Sequence, residues 1–391
     1  MKKVLFFTST RADYGLLSGL IKTFKADSSH YTVEILVTGT HLSEKYGLTY
    51  REIEADGVSI NYKVDLNLKG DSDLEVARAT ALGVEKFSEI LSLAQPDLVF
   101  VLGDRTEALS FALASQLMRV PLAHLHGGEV TEGAIDDAMR HCITKLAKIH
   151  FASAEEHKKR VEQLGEDPKL VFNVGAVGID NIVNLQKLNK QELEQQLQIA
   201  FKERTYLVTF HPETLSQISV EDQIDIFLKG LEKFILAQEK ESLFIFTMPN
   251  ADSGNQSIFK KINDFIHNNS SCCKGFESLG YKRYLSAMSY ATAVVGNSSS
   301  GLIEAPALNI PTLNVGDRQK GRLRGTSVID VPLNVDAISE GLNLVTAMKE
   351  QGQIFESPYG DGHSAEKIKT LVDKNIDQLK FLRKIFYDKN Y

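Results

Sequence analysis

A regular alternation of short apolar runs with amphipathic stretches constrains the fold of this sequence more than any other feature. Four runs in the first half are short, β-branched or aromatic, and bounded by turn residues, as buried parallel strands are. They are Val4–Thr8, Tyr31–Val37, Leu98–Leu102 and Pro121–His124. Helical patterns lie between or after them, at Leu16–Phe24, Leu74–Leu93, Glu107–Leu117 and Ile135–Lys148. The same rhythm continues with a strand at His150–Ser153, a helix to Leu164 and a strand near Leu170–Val174. This alternation predicts a parallel sheet covered by helices on both faces.

A second block repeats the same design. Its predicted strands are Tyr206–Phe210, Leu243–Thr247, Ala293–Val295 and Thr312–Val315, with helices at Ile224–Leu236, Gln256–Phe265, Tyr281–Tyr290 and Gly301–Ala307. The glycines of Gly175–Asn181 mark the boundary, so we expect domains at 1–175 and 176–363. Residues 364–391 are predicted to form a helix that packs back towards the first domain. We expect two doubly wound domains with a cleft at the carboxyl ends of their strands.

Composition excludes several classes of protein. With 44 Lys+Arg against 51 Asp+Glu, the net charge of −7 argues against general binding to nucleic acid or an anionic membrane. Three cysteines without a CxxC spacing predict neither a disulfide framework nor a zinc site. No apolar run approaches the roughly 18 residues of a membrane span. Because the first apolar run ends at Arg11 before reaching signal-peptide length, we expect a cytoplasmic protein.

Polar side chains follow the predicted strands of the first block. Asp104 follows Leu98–Leu102 after a single glycine, where a helix N-cap would also explain it. Glu129 follows the next strand, in a loop with two permissive glycines. A metal site on His124 and His126 of this loop is an alternative, but it lacks a recognisable ligand spacing. Since parallel strands end at the same edge of a sheet, we expect the two carboxylates to lie close together.

A charged quartet opens the helix that follows. Asp136, Asp137, Arg140 and His141 are spaced by three or four residues, so they share one side of the helix. Acids in a first helical turn are often only partners of the helix dipole. The quartet nevertheless comes from the strand-end region that also supplies the two preceding carboxylates. We therefore predict an acid/base rim without a metal or other cofactor.

Anion-binding features occur in both blocks. Arg11 follows the first strand and precedes a helix, although it could simply pair with Asp13 on the surface. In the second block, the serines of Asn297–Gly301 begin a helix and offer donors to a phosphate, unless they only cap it. Glu304 lies one turn later, placed for the two hydroxyls of a ribose. The segment Asp317–Arg324 adds four cations, which we interpret as contacts to a diphosphate.

Nine segments together resemble the hydrolysing UDP-N-acetylglucosamine 2-epimerases of sialic-acid and legionaminic-acid biosynthesis. They are TRADYG at 10–15, TGTHL at 38–42, GDR at 103–105, HGGEV at 126–130, IDDAMRH at 135–141, FHPET at 210–214, PNAD at 249–252, NSSSG at 297–301 and VGDRQKGR at 315–322. They run in order along nearly the whole chain. Gly15 and Leu16 stand where some relatives carry Ser and Lys, and His41 lies in a looser match.

The resemblance implies a GT-B fold of two Rossmann-like domains, no cofactor, a UDP-sugar substrate and a homodimer or homotetramer. It also implies roles for individual residues. Positions matching those that hold the nucleotide diphosphate, or lie beside it, are Arg11, His211, Asn250, Ser298, Ser299, Ser300, Gly301, Glu304 and Arg318. Positions matching the acid/base rim around the sugar are Asp104, Glu129, Asp136, Asp137, Arg140 and His141.

The reaction implied by the resemblance expels UDP from C1 with loss of the C2 proton, and water then adds to the resulting 2-acetamidoglucal to give N-acetylmannosamine. Our hypothesis is that Asp104 is the C2 base, that Glu129 and Asp137 handle protons during hydration, and that His211 lies near the leaving oxygen. The alternatives are a GDP- or UDP-linked 2,4-diacetamido-trideoxy sugar, a non-hydrolysing epimerase, a GT-B glycosyltransferase and a nucleotide-sugar sensor.

Overall fold

A computed structural model describes residues 1–44, 47–67, 73–130, 136–211, 218–237, 241–247, 256–276 and 279–388. The chain divides into two compact units, one of Met1–Asn181 with Tyr359–Tyr391 and one of Ile182–Pro358. Among the helices of the described residues, none has the length and apolarity needed to cross a membrane.

Parallel strands and helices alternate along both units. The strands are β1 Lys2–Thr8, β2 Tyr31–Thr38, β3 Tyr62–Val64, β4 Leu98–Leu102, β5 Leu122–Leu125, β6 Ile149–Ala152, β7 Val171–Asn173, β8 Arg204–Thr209, β9 Ser242–Thr247, β10 Cys273–Phe276, β11 Ala293–Gly296, β12 Thr312–Val315 and β13 Val328–Val331. The helices are α1 Arg11–Ala26, α2 Tyr50–Ala55, α3 Asp73–Ala94, α4 Thr106–Leu117, α5 Asp136–Leu146, α6 Glu155–Gln163, α7 Val177–Val183, α8 Lys190–Leu197, α9 Val220–Ala237, α10 Gln256–Asn268, α11 Gly280–Ser289, α12 Ser300–Ala307, α13 Val335–Glu350 and α14 Ser364–Leu379.

The first unit is built on a seven-stranded parallel sheet in the order β3-β2-β1-β4-β5-β6-β7. Side chains of successive strand residues point to opposite faces, so Phe6 and Phe7 enter different apolar layers. Phe6 stacks on Phe100 with ring centroids 4.5 Å apart, and Phe7 stacks on Phe111 at 4.7 Å. The sheet is therefore buried on both faces, which explains why its strands are nearly continuous apolar runs.

The C-terminal helix α14 belongs to the first unit. Its inward residues Ile368 and Val372 are fully buried in the same apolar cluster as residues of α1. At its N-terminus, the amide groups of Ser364 and Ala365 donate hydrogen bonds of 2.9 and 2.6 Å to the buried Asp180 carboxylate. A carboxylate at a helix N-terminus pairs with unsatisfied amides and with the helix dipole, so Asp180 fixes where α14 begins.

The borders of the two units differ by a few residues from the predicted domains at 1–175, 176–363 and 364–391. The first unit continues to Asn181 and resumes at Tyr359. Two contacts explain the shift: Val177 packs in the apolar cluster of the first sheet, and the Ala176 amide donates a 2.7 Å hydrogen bond to the Tyr359 carbonyl. The glycine-containing segment is thus held inside the first unit.

The second unit contains a six-stranded parallel sheet in the order β10-β9-β8-β11-β12-β13. Tyr206 and Phe244 stack at 4.7 Å in its core, and α9 and α13 pack on the same layer. At the end of β11, Gly296 has a φ of 129°, and a Cβ there would lie 1.9 Å from the Thr209 carbonyl oxygen. Only glycine lets the chain turn at this point, directly before Asn297.

The two parallel-sheet α/β units confirm the predicted fold class. Three edge strands, β3, β10 and β13, are absent from the sequence prediction because a charged residue, Lys63, Lys274 or Asp330, interrupts the apolar run of each. The prediction also lacks α13, although Asn334 provides a capping signal by accepting hydrogen bonds from two amides of its first turn.

We expect Asp180→Ala to lower the free energy of unfolding by about 2–3 kcal/mol, because two buried amides of α14 lose a charged acceptor. Urea unfolding followed by circular dichroism measures the change. The control is Asn334→Ala, which removes the exposed N-cap of α13 and should cost about 1 kcal/mol. Equal losses in the two variants would show that the buried position of Asp180 adds nothing to the free energy of unfolding.

Candidate active site

Arg140 joins the acidic residues at the carboxyl end of the first sheet. Its side chain is only 6% exposed and donates a hydrogen bond to the Asp104 carboxylate. Its other terminal nitrogen donates to an Asp137 carboxylate oxygen at 3.1 Å and to the Glu129 carbonyl at 2.7 Å. The loops after β4 and β5 and the first turn of α5 therefore meet at one guanidinium group.

The side chain of His124 forms hydrogen bonds to the loop after β4 and to α5. It is fully buried on β5, and its ring nitrogens lie 2.8 Å from the Gly103 carbonyl and 3.1 Å from the Thr144 hydroxyl. Burial lowers its pKa to about 3, so the ring is neutral. His124 thus links the loop carrying Asp104 to α5. Within the described ranges, no group of three or more His, Cys, Asp and Glu side chains is arranged as a metal site.

The carboxyl groups of Asp104 and Glu129 have pKa values shifted in opposite directions. Burial raises the pKa of Asp104, helped by the charges of Asp136 and Glu129, and Arg140 only partly offsets this. Burial also acts to raise the pKa of Glu129, but the charge and hydrogen bond of His126, together with Ser153, hold it at about 2. A pair of this kind can divide acid and base roles.

The remaining acid/base candidates lie beside this pair. His141 Nε2 is 3.7 Å from an Asp137 carboxylate oxygen, and its buried Nδ1 has no hydrogen-bond partner in the described part of the chain. Asp136, partly buried, adds negative charge near Asp104. All four members of the quartet therefore lie at or next to the rim.

Arg11 and His41, two other residues of the first unit singled out from the sequence, contact residues other than those around Arg140. Arg11, whose side chain is 73% exposed, pairs with Glu52 at 3.0 Å. The expected alternative, a pair with Asp13, is wrong because that carboxylate accepts hydrogen bonds from Ser9 and from the Thr10 amide in a capping box. His41 is fully buried between two threonine hydroxyls, and burial lowers its pKa to about 4.

Asn297 organises the corresponding edge of the second sheet. Its fully buried side chain accepts a hydrogen bond from the His211 amide and donates one to the His211 carbonyl, both at 2.7 Å. Its own carbonyl accepts hydrogen bonds from Arg318 at 3.0 Å and Gln319 at 2.7 Å. Asn297 was not predicted as a site residue, and the available signal was a polar amide directly after an apolar strand.

The serines at the start of α12 form a compact polar group. Ser300 Oγ lies 2.6 Å from the Tyr284 hydroxyl and 3.2 Å from Ser298 Oγ. Ser299 occupies the N-cap position, but its side chain makes no capping hydrogen bond, so simple capping does not account for it. At Gly301, a Cβ would lie 2.6 Å from Thr312, which allows α12 to approach β12 closely.

Glu304 is the strongest indication of a ligand in the second unit. Its buried Oε2 has no hydrogen-bond partner among the residues that the structure describes. Burial raises its pKa to about 7, and its charge acts on Tyr281 and Tyr284, which lie nearby. A buried carboxyl group without donors is costly when ionised. It is therefore suited to a ligand that brings its own hydrogen-bond donors.

Only part of the basic segment Asp317–Arg324 is available for a ligand. Arg324 stabilises the loop itself, since it contacts Asp330 at 2.7 Å and donates to the carbonyls of Arg322 and Gln319. Diphosphate contact by this segment stays a prediction, with Arg318 as the main candidate and Lys320 or Arg322 as helpers. Asn250, with the rest of PNAD and most of FHPET, lies outside the described residues.

Comparison with known proteins identifies the family. The model of the family described as UDP-N-acetylglucosamine 2-epimerase matches residues 23–373. The chain belongs to this family. The resemblance found in the nine sequence segments is thereby confirmed.

Two curated relatives and one solved structure show how far the similarity extends. The chain is 42% identical to polysialic acid biosynthesis protein P7 of Escherichia coli, over 88% of this chain and 86% of the relative. It is 40% identical to GDP/UDP-N,N'-diacetylbacillosamine 2-epimerase (hydrolyzing) of Campylobacter jejuni, over 85% of each chain. The crystal structure of the Neisseria meningitidis UDP-GlcNAc 2-epimerase bound to UDP-GlcNAc has a TM-score of 0.76 at 22% identity, covering 96% of this chain and 100% of that one. This last comparison supports the fold alone.

Glu304 should make stability depend on pH. Its pKa is about 7 in the folded protein against an ordinary value of 4.5, so the folded state holds an extra proton between these values. The contribution is complete below pH 4.5 and is lost as the pH rises through 7, a change of about 3 kcal/mol. Urea unfolding between pH 5 and 8 should show this decline in the wild type and not in Glu304→Gln. The exposed control Glu340→Gln should behave as the wild type does, and a decline that persists in Glu304→Gln would assign it to another group.

Proposed function

We propose that this protein is a hydrolysing 2-epimerase that acts on a nucleotide-linked 2-acetamido sugar. It releases the nucleoside diphosphate and gives the free sugar with inverted configuration at C2. The observation that carries the proposal is the Arg140-centred group, in which Asp104 and Glu129 share one sheet edge but differ in pKa direction. Family membership and the names of the two curated relatives support it.

The first step needs a base that acts while the C1–O bond breaks, because the C2 proton becomes acidic only as positive charge develops at C1. Asp104 suits this role, since a carboxylate with a raised pKa is a stronger base than an ordinary one. Electrons of the C2–H bond form the C1=C2 bond, and those of the C1–O bond leave with the diphosphate. The product of this step is a 2-acetamidoglucal.

Water then adds across the C1=C2 bond. Glu129 remains ionised at neutral pH, so it can hold the water at C1 and stabilise positive charge there. Asp137, positioned by Arg140 at 3.1 Å, takes up a proton from solvent and delivers it to C2, and Asp104 releases to solvent the proton that it removed. Delivery to the face opposite the one deprotonated by Asp104 inverts C2, which is what an epimerase requires.

The second unit provides the nucleotide contacts in this proposal. Arg318 and the serine group Ser298–Ser300 neutralise and hydrogen-bond the diphosphate. Glu304 accepts hydrogen bonds from the ribose hydroxyls, which satisfies its otherwise unpartnered buried oxygen. His211, held through its backbone by Asn297, lies beside the leaving oxygen. Arg11 and Asn250 complete the proposed nucleotide contacts.

The first candidate substrate is UDP-N-acetylglucosamine. A second candidate is a GDP- or UDP-linked 2,4-diacetamido-trideoxy sugar. It is favoured by one specific observation, the name of the Campylobacter jejuni relative at 40% identity. Both substrates carry the 2-acetamido group and the C1 diphosphate, so the same residues serve either one.

Assembly and location remain predictions. We propose a homodimer or homotetramer formed through helices of the first unit, where Leu93, Leu113 and Leu117 expose apolar side chains on α3 and α4. A cytoplasmic location agrees with the three cysteines, all of which are free thiols.

Incubation of the protein with UDP-GlcNAc and with UDP- and GDP-linked diacetamido sugars tests the function. We expect release of nucleoside diphosphate and of a free, C2-inverted sugar, identified by NMR in deuterated water. Asp104→Asn and Glu129→Gln should each lower turnover by about 100-fold or more, whereas the exposed control Asp377→Asn should not. Near-native turnover in both rim variants would exclude the proposed roles.

Nucleotide affinity can be separated from turnover through Arg318. Arg318→Met should weaken UDP binding by about 10- to 100-fold, because a charged hydrogen bond to phosphate is lost. Isothermal titration with UDP measures this directly. Lys233→Met, a change at an exposed cation of α9 in the same unit, should alter affinity by less than about threefold. Equal weakening by both variants would indicate a general charge effect.

A further inference from the structure

Several donors converge on one oxygen of Glu129. His126 Nδ1 lies 3.0 Å from Glu129 Oε1, and Ser153 Oγ lies 2.5 Å from the same atom. Ser153 in turn lies 2.9 Å from His157 Nδ1. Ser153 is fully buried after β6, and His157 is buried in the first turns of α6. No feature of the sequence motifs pointed to these two residues.

The direction of each hydrogen bond follows from the chemistry of the acceptor. An ionised carboxylate can only accept, so His126 Nδ1–H and the Ser153 hydroxyl both donate to Glu129. The serine has a single hydroxyl hydrogen, which is used on Glu129. Its oxygen therefore accepts from His157 Nδ1–H. Each hydrogen bond in this series is donated in the direction of Glu129 Oε1, while Glu129 Oε2 has no hydrogen-bond partner among the described residues.

The backbone of the loop is fixed to α6 as well. Gly128 has a φ of 82°, and a Cβ there would lie 2.2 Å from the His157 carbonyl oxygen. Arg160 donates a hydrogen bond to the Gly128 carbonyl. His126, although not a glycine, has a φ of 62°. Strained backbone of this kind persists where surrounding contacts enforce it, which is common at functional sites.

The charged and titratable neighbours of Glu129 come from four elements. Its own loop supplies His126, and α6 supplies His157 and Arg160. Arg140 of α5 binds its carbonyl, and Asp104 after β4 adds negative charge. Since burial and the negative neighbour oppose ionisation, the donors on Oε1 are what keep this carboxylate charged.

We propose that Ser153 and His157 are positioning residues. Their series of hydrogen bonds occupies Glu129 Oε1 and leaves Oε2 for the water that adds to C1. The inference rests on the proposed function and deepens it. In the hydration step, the water oxygen bonds to C1 and one of its protons passes to Glu129 Oε2. The electron pair of the C1=C2 bond takes up at C2 a proton that the Asp137 carboxylate has first accepted from solvent.

Removing the donors should slow hydration more than elimination. Ser153→Ala deletes one charged hydrogen bond, so we expect hydration to fall by about tenfold or more, whereas nucleotide release should change by less than about threefold. The 2-acetamidoglucal should then accumulate relative to free sugar, as measured by NMR. His157→Phe should act in the same direction more weakly, and His157→Gln, which keeps a donor, should restore the wild-type ratio.

A buried serine elsewhere in the same unit provides the matched control. Ser115 is also fully buried and donates a 2.7 Å hydrogen bond to the Phe111 carbonyl. Ser115→Ala should leave the product ratio unchanged. If Ser153→Ala proves too unstable to purify, the comparison of His157→Phe with His157→Gln carries the test.

A double-mutant cycle separates positioning from a general structural role. If Ser153 acts only through Glu129, then Ser153→Ala should have no further effect on product ratio or turnover in Glu129→Gln. A further loss in that background, an unchanged ratio in Ser153→Ala alone, or equal slowing of both steps would overturn the inference. These outcomes require an active wild type. A wild type that releases no nucleotide from any of the sugars would instead refute the proposed function.

Discussion

The buried guanidinium group of Arg140 is the interaction on which the first site depends. A charge removed from water is costly unless it is paired and fully hydrogen-bonded. Arg140 meets this requirement with the carboxylates of Asp104 and Asp137 and the Glu129 carbonyl. The same arrangement allows three acidic residues to lie at one sheet edge, where they would otherwise repel each other. Arg140 thus has to be an arginine, because its planar group reaches three partners at once.

Much of the fold and part of this site follow from sequence. A buried parallel strand must be an apolar run, and the polar residue after it must lie at the carboxyl edge. Asp104 and Glu129 each follow such a run, so their proximity could be predicted without coordinates. The edge strands β3, β10 and β13 could not be predicted, because they are partly exposed and a charged residue interrupts the apolar run of each.

The partners of individual side chains were less predictable, for a different reason. Spacing along the chain predicts neighbours within a helix, as it did for Asp137 and Arg140, but contacts between elements depend on how the layers pack. Ser153 and Asn297 illustrate this limit. Each is a small polar residue directly after a strand, a pattern that also fits an ordinary turn. Only the structure shows that one donates to Glu129 and the other binds the His211 backbone.

Glu129 and Glu304 show how hydrogen-bond donors decide the ionisation state of a partly buried carboxyl group. Burial acts against the charged form of both, yet the pKa of Glu129 falls to about 2 and that of Glu304 rises to about 7. The difference is that His126 and Ser153 donate to Glu129, whereas Oε2 of Glu304 has no partner in the described chain. The protein therefore supplies the donors where a permanent charge is needed for chemistry. In the second unit, the donors to Glu304 have to come from a ligand. The charge of Glu304 is therefore stabilised only when a hydroxyl-bearing molecule binds.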